Sequence, residues 1–134
     1  MKPKIALVVS EFNKEITLKM EKSAEKSAKS LGAEIVKKIH VPGAFEIPFA
    51  AKSVLKGKKI GAIAVLGAVI QGETYHDVVI VTAVAQALID LSLQYDKPIG
   101  FGIIGPRVTW QQAEKRAEEY AKRAVEAAVK MIGV

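Results

Sequence analysis

A chain of 134 residues, half of them hydrophobic and a quarter charged, suits one domain with a single substantial core and excludes a disordered polymer. It has no cysteine, which excludes disulfides, thiolate catalysis and cysteine-ligated metals, and its two histidines, His40 and His76, form no ligand pair, so no metal is expected. The formal charge of +6 admits nucleic acid, a membrane surface or an anionic small molecule, but the lysines are scattered and no aromatic-and-basic strip accompanies them, so we read a solvated charged surface and no nucleic-acid partner.

The first element is a strand, Ile5 to Val9. Its basic flank, Met1-Lys2-Pro3-Lys4, resembles the start of a signal peptide, but the apolar stretch is shorter than the ~7–15 residues required and turns polar at Ser10-Glu11. No apolar run reaches the ~20 residues of a membrane span. These readings predict a cytoplasmic protein with no membrane partner. Ile16 to Leu31 has the spacing of an amphipathic helix and is closed by Gly32. Glu34 to Ile39 is a second strand, and Pro42-Gly43 turns into a short helix from Phe45 to Lys56, ended by Gly57. Ile60 to Val69 is a strand rich in β-branched residues. Asp77 to Tyr95 is almost wholly apolar, and its length favours a helix buried on most sides. Pro98 to Ile104 is the last strand. Thr109 to Ile132 is a long helix with Glu118–Lys122, Glu119–Arg123 and Glu126–Lys130 spaced i,i+4.

Repeated strand-then-helix units predict a parallel sheet covered on both faces. With right-handed crossovers this is an α/β, flavodoxin-like three-layer α/β/α sandwich with a four-stranded parallel sheet, one domain over residues 1–134. In such sheets ligands bind beyond the carboxyl ends of the strands. Those ends are Ser10 to Asn13, His40 to Gly43, Gly67 to His76, and Gly105 to Arg107, which is where the unusual residues gather.

The richest of these is Gly67-Ala68-Val69-Ile70-Gln71-Gly72-Glu73-Thr74-Tyr75-His76. Its glycines allow close backbone approach, and a helix start suits an anion such as phosphate. Thr74 is a candidate cap that could add a hydroxyl donor, although a capped helix start alone explains it equally well. His76, in the first turn of that helix, can give or take a proton near neutral pH beside a bound anion. Glu46, near another helix start, suits the helix dipole or the hydroxyls of a polyol. Phe12 could stack on a flat heterocycle, though taken alone such a ring is more often a core residue.

Phe12-Asn13, the Val-Pro-Gly-Ala-Phe-Glu-Ile-Pro run at 41–48, the Gly-Ala-Val-Ile-Gln-Gly-Glu-Thr-x-His run at 67–76 and Pro98-Ile-Gly-Phe-Gly102 resemble, in order and spacing, the signature stretches of lumazine synthases. The Gly105-Pro106-Arg107-Val108-Thr109 loop looks like the archaeal branch of that family. The resemblance implies condensation of 5-amino-6-(ribitylamino)uracil with 3,4-dihydroxy-2-butanone 4-phosphate, without cofactor or metal. It implies that Phe12 stacks on the pyrimidine, that Ala44, Phe45 and Glu46 line the ribityl site, and that Ala68, Val69 and Ile70 meet the uracil through their backbone. Glu73 and Thr74 would hold phosphate and His76 would shuttle protons. Phe101 and Arg116 would come from a neighbouring subunit, to close the uracil pocket and to pair with phosphate.

Two departures from the family pattern bear on these roles. The loop before the last helix is about one residue longer than in bacterial members, counted from Phe101 to Gln112-Ala113, which assigns the phosphate cation to Arg116 and not to Lys115. The usual glycine- and lysine-containing stretch is replaced by Glu118-Glu119-Tyr120-Ala121-Lys122, leaving Lys122 and Arg107 as candidates for a second cation. The resemblance further implies a homo-oligomer with shared sites, a pentamer that in some members closes into an icosahedral shell of sixty chains. The apolar excess from Val78 to Leu93 is what such an interface requires. Rival readings are an archaeal-type riboflavin synthase, a non-enzymatic receiver or binding module, and a shell or nucleic-acid packaging protein. The intact Gly-Glu-Thr-x-His element speaks against the first, and the lack of an acidic cluster and of an Asp at Gly67-Ala68-Val69 against the second.

Overall fold

Two of the apolar runs become strands buried almost from end to end: β3, Ala62–Ala68, at every position, and β1, Lys4–Ser10, at all but its first. A strand with no exposed face needs a layer on each side. In this computed structural model, which describes residues 2–134, both layers are present. The sheet is parallel throughout, in the order β2-β1-β3-β4, with β2 at Glu34–Val41 and β4 at Ile99–Ile104. β2 forms one edge and carries an exposed, lysine-rich sequence, as an edge strand should.

Alternate strand residues face opposite layers. Ile5, Leu7 and Val9 of β1 and Ala64 and Leu66 of β3 pack against α1, Lys14–Ser30, and α4, Trp110–Met131. Ala6 and Val8 with Ile63 and Val65 pack against α2, Ile47–Leu55, and α3, His76–Tyr95. The buried stripe of α1 is Ile16, Met20, Ala24 and Ala28, a helical spacing. That of α4 is almost entirely alanine, at 113, 117, 121, 124 and 128. So slim a stripe lets the helix axis lie close on β4, whose Gly100 and Gly102 receive it. A Cβ at Gly102 would sit 2.7 Å from the Val65 carbonyl, and one at Gly100 would overlap the carbonyl of Ala124.

Helix ends account for small shifts from the expected boundaries. Thr109 caps α4 by a reciprocal pair: its hydroxyl accepts from the Gln112 N–H (3.2 Å), and the Gln112 side chain accepts from the Thr109 N–H (3.0 Å). The short helix begins as a 3-10 turn over Ala44–Glu46 before α2 proper. Of the three i,i+4 pairs on α4, one closes among the described residues, Arg123 to Glu119 at 3.1 Å. The other two stay open, as flexible pairs in full solvent gain little by closing.

One expectation fails within the single chain. α3 is not buried on most sides: only Asp77, Val81, Val84 and Leu88 are buried, while Val79, Ile89 and Leu93 are exposed. The sheet covers one narrow face of α3 and leaves the rest open. By length and composition this helix, at a mean hydropathy of 1.6, could also cross a membrane, so the expectation that no run reaches spanning length does not hold.

Candidate active site

The carboxyl ends of β1, β2 and β3 and the first turns of α3 enclose a cleft of about 750 Å³. Backbone hydrogen bonds fasten its rim: the Glu11 N–H donates to the Val41 carbonyl and the Val69 N–H to that of Ile104, both at 2.8 Å. Asn13, in the left-handed conformation at φ 61°, starts α1 and donates from Nδ2 to the Ala68 carbonyl at 2.8 Å. That bond ties the loop carrying Phe12 to the end of β3.

Phe12 and Phe45 stand at the cleft 68 % and 65 % exposed, which no core residue would be. The core reading of Phe12 is therefore wrong. Two large rings left in water beside a concave wall form a surface ready to take a planar apolar partner. Ala44 and Glu46 continue the wall from the 3-10 turn, with Gly43 beside them. A Cβ at Gly43 would lie 3.2 Å from Glu46 Oε1, so glycine there leaves the carboxylate its place. Ala68, Val69 and Ile70 form the floor, and Thr74 and His76 the far side.

The start of α3 differs in detail from the expectation. The capping position belongs to Tyr75, not Thr74, and Tyr75 makes no side-chain cap. Thr74 Oγ1 instead accepts from the His76 N–H at 3.3 Å, a local turn that satisfies one of the unpaired donors of the first turn. Asp77 follows, buried, and joins the wall. Burial raises its pKa, but the hydrogen bonds from the Arg107 backbone and side chain, with the guanidinium charge, outweigh burial and bring the carboxyl below its ordinary value. Among the described residues no group of His, Asp and Glu converges as a metal would require.

The cleft thus gathers Phe12, Ala44, Phe45, Glu46, Ala68, Val69, Ile70, Thr74 and His76. Glu73 is exposed next to Thr74 but off the cleft wall. Phe101, 41 % exposed on the outer strand β4, lies in a different hollow, with Leu88, Ile89 and Leu93 of α3. Arg116 and Lys122 are exposed on α4, in the other layer, and Arg116 bonds only the Gln112 carbonyl of its own helix, at 3.3 Å. Arg107 turns to Asp77 and not into the cleft. Asn13 and Gly43, which belong to the signature stretches but were given no role, and Asp77, Val79 and Ile80, which the sequence did not mark as site residues, also line the cleft. An acid within an apolar helix marks Asp77 in hindsight, whereas nothing in their residue type marks Val79 or Ile80.

Comparison with known proteins points one way. A family model described as 6,7-dimethyl-8-ribityllumazine synthase matches residues 2–134. A protein of that name from Methanocaldococcus jannaschii is 49 % identical over 128 residues, covering 96 % of this chain and 90 % of its own. One from Staphylothermus marinus is 50 % identical over 129 residues, covering 96 % and 86 %. One from Methanococcus vannielii is 48 % identical over 128 residues, covering 96 % and 91 %.

Proposed function

The chain belongs to the 6,7-dimethyl-8-ribityllumazine synthase family, transferases of riboflavin biosynthesis, and on that premise we propose how its cleft condenses 5-amino-6-(ribitylamino)uracil with 3,4-dihydroxy-2-butanone 4-phosphate, releasing phosphate and water. The observation that carries this reading is the meeting, in one cleft, of two exposed aromatic rings, a carboxylate and a helix start bearing a histidine. Phe12 stacks on the pyrimidine, and the backbone at Ala68, Val69 and Ile70 pairs with its edge. Ala44 and Phe45 flank the ribityl chain, and Glu46 accepts hydrogen bonds from its hydroxyls. Thr74, with Glu73 next to it, holds the phosphate at the start of α3, where the helix dipole favours an anion.

The substrate supplies the reactive amine, so the protein needs no strong nucleophile. Imine formation and ring closure require two held partners and a group that moves protons. His76 is that group, between the phosphate site and the floor of the cleft. Incubating the protein with both substrates should yield a fluorescent lumazine, and lumazine supplied alone should yield no riboflavin. His76→Ala should leave the fold intact and slow condensation by about 10²-fold or less, the low end for a general acid–base group. An unchanged rate across the pH range removes His76 from the mechanism.

The whole chain serves as one domain of a homo-oligomer, a pentamer in which the open faces of α3 meet around the axis. The apolar residues that α3 leaves uncovered support this, as does the hollow beside it formed by Phe45, Phe49, Ala87 and Leu91. Phe101 and Arg116, both away from their own cleft, then reach the cleft of a neighbour. Such a contact also accounts for the apolar length of α3 without a bilayer. On this reading α3 is an interface helix, and we take the enzyme to work in the cytoplasm. Twelve pentamers closing into a shell is the larger form that the family resemblance allows. Light scattering should find a pentamer or a multiple of it. A stable, active monomer sinks the shared site.

A further inference from the structure

The loop between β4 and α4 has an unusual backbone. Gly105 has φ +116°, where a side chain would be strained and would strike the Val69 carbonyl, and Arg107 takes the left-handed region at φ 60°. The result is that Arg107 aims two donors at one oxygen: its backbone N–H lies 2.8 Å, and its Nε 3.1 Å, from Asp77 Oδ2. From the same side chain Nη2 reaches the Gly72 carbonyl at 3.4 Å, and the guanidinium carbon sits 4.9 Å from the centre of the Tyr75 ring. One arginine from a distant loop therefore holds Gly72, Tyr75 and Asp77, with Thr74 and His76 among them.

Charge gives this arrangement a further meaning. The Asp77 side chain is 1 % exposed, and its Oδ1 has no partner. A buried carboxylate in the first turn of α3 opposes any anion brought to that helix start. Arg107 supplies the compensating charge, with its backbone N–H and Nε committed to Asp77 and Nη2 to Gly72.

We propose that Arg107 is a positioning residue for the reaction: acting through Asp77, it holds the 72–77 segment in place and cancels the charge that would otherwise repel the phosphate of the four-carbon substrate. The proposal rests on the reading of the α3 start as the phosphate site. It removes Arg107 from the candidates for a second phosphate cation and gives it an indirect task.

The test compares Arg107→Met with the double variant Arg107→Met/Asp77→Asn, in the full assembled protein beside the unaltered one. Arg107→Met should raise KM for the phosphorylated substrate about 10-fold or more and KM for the pyrimidine by less than about 3-fold. Adding Asp77→Asn should return the phosphate-substrate KM to within about 3-fold of the unaltered value, since the uncompensated charge is then gone. A brace acting only through packing predicts no such rescue. Equal rises for both substrates, or a double variant no better than the single, overturn the proposal. If Arg107→Met alone fails to assemble, the double variant decides: assembly with near-normal KM supports the charge relation, and failure overturns it. Calorimetry with inorganic phosphate on the same proteins separates this proposal from the reaction itself. Phosphate weakened by Arg107→Met and restored by Asp77→Asn upholds the charge relation even where no lumazine forms, and phosphate binding indifferent to both changes overturns it.

Discussion

Arg116→Ala should raise KM for the phosphorylated four-carbon substrate about 10²-fold, the loss expected when one member of a charged, hydrogen-bonded pair is removed. KM for the pyrimidine should stay within a few-fold. Free donors set this expectation. Arg116 spends one contact on the Gln112 carbonyl of its own helix, and the rest of its planar fork is open to a phosphate. The other cations nearby are less available. Arg107 is tied to Asp77 and Arg123 to Glu119. Lys122, six residues on, projects about a third of a turn around α4 from Arg116, so the two do not converge on one anion. Steady-state kinetics with each substrate varied in turn is the measurement. Equal losses for both substrates would mean a damaged interface or a misplaced cation, with Lys115 next in line.

Gly100→Ala should destabilise the protein by about 3 kcal/mol or more, the upper range for forcing atoms into a packed interior. The methyl group would overlap the Ala124 carbonyl, which is backbone and has no rotamer to escape into, so α4 as a whole must lift from the sheet. Gly72→Ala is the matched control, because nothing lies within 4 Å of a Cβ there. Its stability should change by less than about 1 kcal/mol. Denaturant midpoints of the two variants measure the difference, and similar values would contradict the close seat of α4 on β4.

Most of the architecture could be read from the residues. The apolar runs at Ile5 to Val9 and Ile60 to Val69, separated by helical spacing, imply buried parallel strands, and the strands lie there, trimmed at β3 to Ala62–Ala68. The cleft wall was legible in part: the glycines, Thr74 and His76 after β3 pointed to a ligand by residue type, whereas Phe12 taken alone read as core. Three things were not legible. α3 is apolar all round, and apolarity alone does not say whether a layer of the same chain or another molecule covers it. Asp77 and Arg107 are 30 residues apart, and their meeting depends on the left-handed turn at Arg107, which residue type does not announce. The need for glycine at position 100 arises from how near the alanine stripe of α4 lies, a tertiary distance with no local signature.

The separation of the cleft from Phe101 and Arg116 also limits how copies can be arranged. α3 stands between the hollow that holds Phe101 and the one beside Phe45, so the donating and receiving patches are different surfaces of one chain. In a ring with the proposed sharing, contact between copies is head-to-tail, one chain's donating patch on the next chain's receiving patch. Head-to-tail contacts do not terminate by themselves: they run on until the last copy meets the first. An open row always leaves one cleft unfurnished at one end and one Phe101 and Arg116 idle at the other. Closing that row into a ring leaves no cleft unfurnished and no Phe101 or Arg116 idle.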